Sequence, residues 1–183
     1  MNAISRVGFI GLGAMGAPLA GHLHGKGLLS AVANRTVAKA DALARQLGVK
    51  AAKAPADFAG CDAVVLCVSK DADVLQCVDD LAAVLPAGAL VIDHSTVSRE
   101  TALEAAARLK AKGIEFLDAP VSGGQAGAQN GQLGVMVGGD PATFARAKPV
   151  LDLYSKSCAL IGPAGSGQLC KMVNQICVAG IVQ

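Results

Sequence analysis

The stretch RVGFIGLGAMGAPLA, residues 6–20, places three glycines between a short apolar run and a helical pattern. The run at 6–10 predicts a strand, and residues 15–26 predict a helix. The glycines form the pattern G-x-G-x-x-G. The first glycine permits a tight turn, the second lets a pyrophosphate approach the backbone, and the third lets helix and strand pack closely. We therefore predict a dinucleotide-binding turn made of Gly11, Leu12, Gly13, Ala14, Met15 and Gly16.

Short apolar runs alternate with longer helical patterns along the rest of the chain. The run AVVLCV, residues 63–68, is apolar throughout, as expected of a parallel strand covered on both faces. Strands that alternate with helices of this length indicate parallel β-α-β units, and right-handed crossovers join them into one sheet. The predicted fold class is α/β, with a doubly wound, mostly parallel Rossmann-type sheet. Strands are predicted at 6–10, 29–33, 63–68, 90–93, 115–118, 135–137 and 158–161, with a weak one near 49–53, and helices at 15–26, 37–47, 72–85, 99–112 and 141–153.

Turn residues at 162–165 mark the first plausible domain boundary. We predict a nucleotide-binding domain at residues 1–163 and a separate helical segment at residues 164–183. This last segment is apolar around most of its girth, and no charge, glycine cap or proline marks its end. A helix with this pattern is expected to be buried by other helices.

The composition narrows the possible function classes. Hydrophobic residues make up 52% of the chain and charged residues 16%, which indicates an ordered protein with a real core. The net charge of +2 and the absence of a basic run argue against nucleic-acid binding. No unbroken apolar stretch of roughly 20 residues predicts a membrane span. Six cysteines without a C-x-x-C motif and three scattered histidines predict reduced thiols, a cytoplasmic protein and no metal cluster.

Asn34, Arg35 and Thr36 follow the second predicted strand, where the cofactor is usually selected. An NAD site commonly has a carboxylate there to bind the ribose 2′-OH, and this segment has none. Arg35 can pair with a 2′-phosphate, while Asn34 and Thr36 can hydrogen-bond to it. We predict NADP(H) as the cofactor, with NAD(H) as the alternative. A solvated arginine beside a helix-capping threonine is the other interpretation of this segment.

Two further stretches carry unusual chemistry. A glycine-rich stretch, residues 118–139, leaves a predicted strand at the sheet edge where ligands bind in open α/β sheets. Its backbone N–H groups near Ser122, Gly123 and Gly124 could hold a carboxylate, and the alternative is a long flexible connection.

The second stretch is the C-terminal segment. If residues 165–183 form a helix, Lys171, Asn174 and Gln175 share one of its faces. The lysine either extends its ammonium group into water or lies in a pocket. In a pocket its pKa would fall from about 10.4, which would let it exchange protons near neutral pH. The spacing alone leaves both alternatives open.

Together these stretches resemble the β-hydroxyacid dehydrogenases, which include 3-hydroxyisobutyrate dehydrogenases and reductases of tartronate semialdehyde, glyoxylate and succinic semialdehyde. GFIGLGAMGAPLA is similar to the family's N-terminal fingerprint. DAPVSGG followed by GAQNGQLGVMVGG is similar to its substrate-binding signature, GSGQLCKMVNQ to its catalytic stretch, and DHSTV to the segment near the nicotinamide. The resemblance covers essentially all 183 residues. It implies that residues 164–183 are the first part of a long inter-domain helix, and that an all-helical domain follows residue 183.

The resemblance implies hydride transfer between nicotinamide C4 and the carbon that bears the hydroxyl or carbonyl group. Lys171 would be the general acid/base, and Thr96 would help to place the nicotinamide. The substrate would be a small carboxylated aldehyde or hydroxyacid, and the whole protein a homo-oligomer, either a dimer or a tetramer. The implied substrate-binding residues are Ser122, Gly123, Gly124, Asn174 and Gln175, and Val68 and Ser69 would line the cofactor cleft.

Two positions depart from the family's commonest pattern. Gln175 stands where many members have a second asparagine, and His94 stands where methionine or cysteine is frequent. We expect His94 to be a strand-end residue, with a catalytic role as the alternative. Two other functions compete with an NADP(H)-dependent reductase: an NAD-linked 3-hydroxyisobutyrate dehydrogenase, and an inert nucleotide-binding or interaction module of the same fold. An inert module would have no need of a proton donor such as Lys171.

Overall fold

The strand–helix alternation forms a three-layer structure in the computed structural model, which describes residues 3–182 and the side chains of residues 3–180. The described strands are β1 (Val7–Ile10), β2 (Leu29–Ala33), β3 (Lys50–Ala51), β4 (Ala63–Leu66), β5 (Leu90–Asp93), β6 (Glu115–Asp118), β7 (Val121–Ser122), β8 (Leu133–Gly139) and β9 (Ser155–Gly162). The helices are α1 (Gly16–His24), α2 (Val37–Leu47), α3 (Asp71–Ala82), α4 (Arg99–Lys110), α5 (Gly124–Gln129), α6 (Pro141–Leu151) and α7 (Ser166–Val182), with a 3₁₀ turn at Pro55–Phe58.

The strands form one sheet in the order β3-β2-β1-β4-β5-β6-β8-β7, with β9 paired to β8. The pairs from β3 to β6 are parallel, and β8 runs antiparallel to β6 and β7. The strand order reverses between β1 and β4, so the carboxyl end of β1 lies at the switch point where α/β sheets bind ligands. The α/β class and the mostly parallel sheet are confirmed.

Each face of the sheet buries its own apolar core. One core packs α1, α2, α5 and α6 against residues such as Phe9, Val65 and Ile92. The other packs α3, α4 and the 3₁₀ turn against Val64, Val91 and their neighbours. Alternate residues of the same strands therefore enter opposite cores, which explains why the central strands are apolar throughout.

The glycine-rich stretch at 118–139 is more ordered than a flexible connection. It contains β7, the short helix α5 and β8. Of these elements, the sequence predicted only residues 135–137 of β8. Ala128 of α5 is fully buried in the core beside α1, so packing holds a segment whose glycines disfavour a helix. The alternative of a long flexible loop is wrong.

The predicted C-terminal helix is present as α7, whereas residue 183 lies outside the described part. Its first turns pack against β8, β9, α4 and β6. The helix also carries large apolar side chains that are exposed, namely Leu169, Met172, Val173, Ile176 and Val178. No helix in the described residues combines the length and the hydrophobicity that a membrane crossing requires.

Candidate functional site

The glycine turn between β1 and α1 is held too tightly for side chains at two of its three glycines. Gly11 has a φ of 101°, and a Cβ there would lie 2.1 Å from the carbonyl oxygen of Cys67. A Cβ on Gly16 would lie 1.8 Å from the carbonyl oxygen of Gly11. Gly13 differs, because a Cβ there would meet no atom within 4 Å. The open space at Gly13 is where the backbone can receive a ligand.

The backbone around Gly13 is suited to an anion. Within the described residues, the N–H groups of Gly13, Ala14 and Met15 have no hydrogen-bond acceptor. The neighbouring N–H of Leu12 instead donates to Oδ1 of Asn34 at 2.9 Å, which fixes the turn against the end of β2. Free N–H groups at the start of α1 favour negative charge, so these residues fit the pyrophosphate of a dinucleotide.

A first cleft of about 380 Å³ opens beside this turn. Arg35 reaches across it toward Asp73, with 3.5 Å between Nη1 and Oδ2, and its side chain is 80% exposed. Asn34 is less available than the sequence suggests, because its side chain binds Leu12 N–H and the carbonyl of Thr36. The predicted residues in the lining are Gly11, Leu12, Gly13, Asn34, Arg35, Thr36, Val68 and Ser69, and the sequence analysis missed Lys39, Cys67, Asp73, Gln76 and Cys77.

A second cleft of about 610 Å³ lies next to the first. Both clefts are lined by Cys67, Val68 and Ser69, so the segment after β4 joins them. The second cleft brings together predicted residues from five separate parts of the sequence, namely Met15, Val68, Ser69, Thr96, Ser122, Gly123, Gly124, Lys171 and Gln175. Ala14 and Gly16 line neither cleft and belong to the turn itself.

Lys171 lies in this second cleft with only 7% of its surface exposed. Among the described residues its ammonium group has no hydrogen-bond or ion-pair partner. Burial lowers the pKa of Lys171 below its ordinary value near 10.5. Of the two alternatives for this lysine, the structure therefore selects the pocket.

The substrate-signature residues form the wall opposite α7. Ser122 ends β7, and its hydroxyl oxygen lies 3.4 Å from Nδ2 of Asn174. Gly123 follows with a φ of 129°, which L side chains rarely adopt, and it is the N-cap residue of α5. Gln175 is exposed at the rim of the same cleft. Ser122 and Asn174, 52 positions apart in sequence, thus meet at one edge of the sheet.

His94 lines the second cleft, but both of its ring nitrogens are engaged. Nδ1 lies 2.6 Å from the carbonyl oxygen of Ala119, which accepts only, so Nδ1 carries the proton. Nε2 then accepts from the hydroxyl of Tyr154 at 2.9 Å. Burial lowers the pKa of His94 to about 4. The ring is therefore neutral and fixed, consistent with the strand-end residue that we expect from the sequence.

The cysteines near the clefts are protonated thiols. Burial raises the pKa of Cys67 to about 12 and that of Cys77 to about 11. A thiolate is the nucleophilic form, so neither side chain is activated for covalent catalysis at neutral pH. Lys171 differs from these thiols, because burial lowers its pKa rather than raising it.

Comparisons with known proteins agree with this geometry. A family model described as the NAD binding domain of 6-phosphogluconate dehydrogenase matches residues 6–162. An uncharacterized oxidoreductase of Shewanella frigidimarina is 52% identical over 98% of this chain and 63% of its own length. An NAD-dependent L-serine dehydrogenase of Pseudomonas aeruginosa is 37% identical over 93% of this chain and 58% of its own length.

A solved structure extends the similarity to three dimensions. It is the 3-hydroxyisobutyrate dehydrogenase of Mycobacterium tuberculosis with L-serine, which matches with a TM-score of 0.91 at 35% identity. The match covers 96% of this chain and 60% of the solved chain. The chain thus spans 58–63% of the length of these three relatives.

Proposed function

The chain belongs to the β-hydroxyacid dehydrogenase family, as the NAD-binding-domain match at residues 6–162 and the hydroxyacid dehydrogenases among its relatives show together. From this premise we propose that the whole protein is an NADP(H)-dependent oxidoreductase of small β-hydroxyacids and semialdehydes. One observation carries the proposal. Lys171, buried and without a partner in the described chain, lines a cleft that continues into the glycine turn through Cys67, Val68 and Ser69.

The residues of this chain supply binding, orientation and a proton. A bound nicotinamide cofactor supplies the hydride, which passes between its C4 and the carbonyl or carbinol carbon of the substrate. The N–H groups beside Gly13 bind the pyrophosphate, and Thr96 helps to place the ring. Ser122, Gly123 and Gly124 bind the substrate carboxylate, while Asn174 and Gln175 orient it. These roles are inferred from the shared cleft and the hydrogen bond between Ser122 and Asn174.

Lys171 balances the charge of the reaction. In reduction its ammonium group donates a proton to the oxygen that becomes the hydroxyl, and in oxidation its neutral amine removes that proton. Because burial lowers the pKa of Lys171, a larger fraction is neutral near pH 7 than for a lysine in water. Reduction then slows as the pH rises through this pKa, and oxidation accelerates over the same range.

We infer NADP(H) rather than NAD(H) from the charges near the end of β2. Arg35 is mostly exposed and faces the first cleft, which Thr36 and Lys39 also line. An arginine, a hydroxyl group and an ammonium group together suit a 2′-phosphate. Asp73 is the opposing feature, because its carboxylate already lies near Arg35 and would repel a phosphate.

A second candidate is an NAD-linked hydroxyacid dehydrogenase. Asp73 lines the first cleft, and a relative with 37% identity is described as NAD-dependent. The two candidates use the same Lys171 chemistry and differ in the cofactor. An inert binding module is disfavoured by the buried, unpartnered Lys171, since burying a lone ammonium group costs free energy without a structural gain.

We further propose a cytoplasmic homo-oligomer, either a dimer or a tetramer, that acts on small carboxylated substrates. Six free cysteines suit a reducing compartment. The exposed apolar side chains of α7, Val173 and Ile176 among them, suit burial by further protein. We propose that nucleic acid and membranes are not partners.

The proposed function is tested by cofactor oxidation in the complete gene product. We expect oxidation of NADPH, measured as loss of its absorbance at 340 nm, with at least one of four aldehydes. These are glyoxylate, succinic semialdehyde, tartronate semialdehyde and methylmalonate semialdehyde. The pH profiles of reduction and oxidation should cross with opposite slopes below pH 10.5, as the lowered pKa of Lys171 requires. Absence of turnover with all four aldehydes and both cofactors would refute the proposal.

A further inference from the structure

The carboxylate of Asp118 caps α7 from another part of the sequence. Asp118 ends β6 and is fully buried. Its Oδ1 accepts from the N–H of Gly165 at 2.7 Å, and its Oδ2 accepts from the N–H of Gln168 at 3.0 Å. Gly165 immediately precedes α7 and Gln168 lies in its first turn, where N–H groups otherwise lack partners. The strand that leads into the substrate signature therefore also fixes where α7 begins.

The contact between this turn and the sheet leaves no free space. A Cβ on Gly167 would lie 2.5 Å from the carbonyl oxygen of Met136 and 2.7 Å from that of Asp118. A Cβ on Gly138 would lie 2.4 Å from Oδ1 of Asp118. The start of α7 is thus packed directly on the backbones of β6 and β8.

Gln168 joins the same turn to the loop that carries Thr96. Its side chain is 1% exposed, with Nε2 donating to the carbonyl of Ser95 at 2.8 Å and Oε1 accepting from the N–H of Val97 at 3.2 Å. Ser95 in turn accepts from the N–H of Val68 through its hydroxyl at 2.9 Å. One glutamine therefore connects α7 to both segments that line the nicotinamide side of the second cleft.

We propose that Asp118 and Gln168 are positioning residues that set the distance between Lys171 and the nicotinamide and so control hydride and proton transfer together. Lys171 follows Gln168 by three positions and lies on the same face of α7, one turn farther along. A shift of the first turn moves the ammonium group by a similar amount. This inference rests on the proposed function for its kinetic consequences, but not for the geometry of Lys171.

The surroundings of Lys171 make its protonation a sensitive reporter of this positioning. The titratable side chains that share its cleft, His94 and Cys67, are both neutral at pH 7. Among the described residues, Asp118 of β6 and Arg99 of α4 are charged groups that lie against the start of α7. Burial is what lowers the pKa of Lys171, so any change that lets water reach the ammonium group raises that pKa.

The first experiment measures the pKa of Lys171 by NMR on reductively ¹³C-methylated protein, with Lys171→Arg used to assign the signal. In Asp118→Asn, loss of a nearby negative charge alone would lower the pKa of Lys171, whereas loss of positioning raises it toward 10.5. We expect a rise in Asp118→Asn and in the uncharged change Gln168→Ala. An unchanged or lower pKa in either folded variant overturns the proposal, and Gln168→Ala decides if Asp118→Asn fails to fold.

The matched control is Asp140→Asn. Asp140 caps α6 in the same way, accepting from the N–H groups of Ala142 at 2.8 Å and Thr143 at 3.1 Å, but it lies away from both clefts. We expect this variant to lose stability while the pKa of Lys171 stays unchanged. A rise of the Lys171 pKa in the control as well would mean that general loosening explains the effect, and it would overturn the proposal.

Kinetics of the complete gene product supply the second readout. We expect kcat to fall about 10- to 100-fold in Asp118→Asn and Gln168→Ala, with the Kd for NADPH unchanged and a larger primary deuterium isotope effect. Unchanged kcat in both variants contradicts the proposal. If the unaltered protein oxidises no cofactor with any aldehyde, the proposed function fails, while the NMR titration still decides whether Asp118 and Gln168 position Lys171.

Discussion

Lys171 and Arg35 are two cations of the candidate site, and the fold holds them very differently. Lys171 is 7% exposed on a helix that is capped and packed at its start. Arg35 is 80% exposed, and its contact with Asp73 at 3.5 Å is a surface ion pair of the kind that contributes little. Under the proposed function, proton transfer depends on a preformed position, whereas cofactor choice depends on an exposed side chain that can turn toward a phosphate.

Arg35→Ala tests that choice. We expect the Kd for NADPH to rise roughly 10- to 100-fold, because about 1.5–3 kcal/mol of charge-assisted hydrogen bonding to the 2′-phosphate is lost. The Kd for NADH should not change, since NADH lacks that phosphate. Fluorescence titration of both cofactors measures this.

Arg45→Ala is the matched control for the Arg35 change. Arg45 is an exposed arginine in the last turn of α2, the helix that follows Arg35. It should alter neither affinity. Equal loss of NADH and NADPH binding in Arg35→Ala, or tighter binding of NADH than NADPH by the unaltered protein, would remove Arg35 from cofactor selection.

At the scale of the element, the glycines of the β1–α1 turn have different tasks, since one is required by packing and another is not. Gly16 is needed because helix and turn touch, with 1.8 Å left for a Cβ. A Cβ on Gly13 would point into open space, so the fold does not require a glycine at this position. Under the proposed function, glycine is needed at position 13 because the cofactor approaches the backbone there.

The paired variants Gly13→Ala and Gly16→Ala check this division. Gly16→Ala should lower the free energy of unfolding by about 3 kcal/mol or more, because overpacking forces the backbones apart. Gly13→Ala should leave the free energy of unfolding nearly unchanged in urea denaturation while weakening NADPH binding. Equal stability of the two variants would contradict the space that we assign to each glycine.

The elements differ in how well the sequence predicted them, and the reason is the source of their stability. The central strands are apolar on both faces and α2 has a clear helical period, so local pattern and fold agree there. The helix α5 was missed because its glycines oppose helix formation and distant contacts hold it, among them the burial of Ala128 against α1. Local sequence carries no information about such a distant contact.

The candidate site likewise combines residues that local sequence predicts with residues that depend on distant contacts. The sequence identified Lys171, Ser122 and Gly13 because each lies in a motif whose spacing reflects chemistry. It could not decide whether Lys171 is buried, since that depends on the residues opposite α7. It also missed Asp118 and Gln168, whose partners lie 47 to 73 positions away.

At the scale of the whole molecule, two buried titratable groups make opposite contributions to stability against pH. Asp93 ends β5, is fully buried, and is paired in register with Asp118. Within the described residues its Oδ2 has no hydrogen-bond partner. Burial raises the pKa of Asp93 to about 7, despite hydrogen bonds from Ser95. Burial also lowers the pKa of His94 to about 4.

These two pKa shifts change the free energy of unfolding in opposite directions as the pH rises. Folded Asp93 keeps a proton that the unfolded chain releases near pH 4, so its contribution falls between about pH 4 and 7, by up to roughly 1.4 kcal/mol per pH unit. Folded His94 stays neutral while the unfolded chain is protonated below about pH 6.5, so its contribution rises with pH between about 4 and 6.5. The two largely cancel in that interval.

Asp93→Asn removes one side of this balance. We expect its free energy of unfolding, relative to the unaltered protein, to increase from pH 4.5 to 7.5 by about 1 kcal/mol or more per unit over part of the range. Urea denaturation at several pH values measures the difference, and the His94 contribution cancels because both proteins contain it. Parallel stability curves would show that the folded carboxyl does not retain its proton.

The most direct test of the whole account is single-turnover oxidation of NADPH by Lys171→Ala in the complete gene product. The account predicts that NADPH binds with unchanged affinity and that the rate of NADPH oxidation with the best aldehyde falls about 10²- to 10⁴-fold, as for loss of a general acid. Oxidation at the rate of the unaltered protein, with the variant folded and saturated with NADPH, would contradict the role of Lys171.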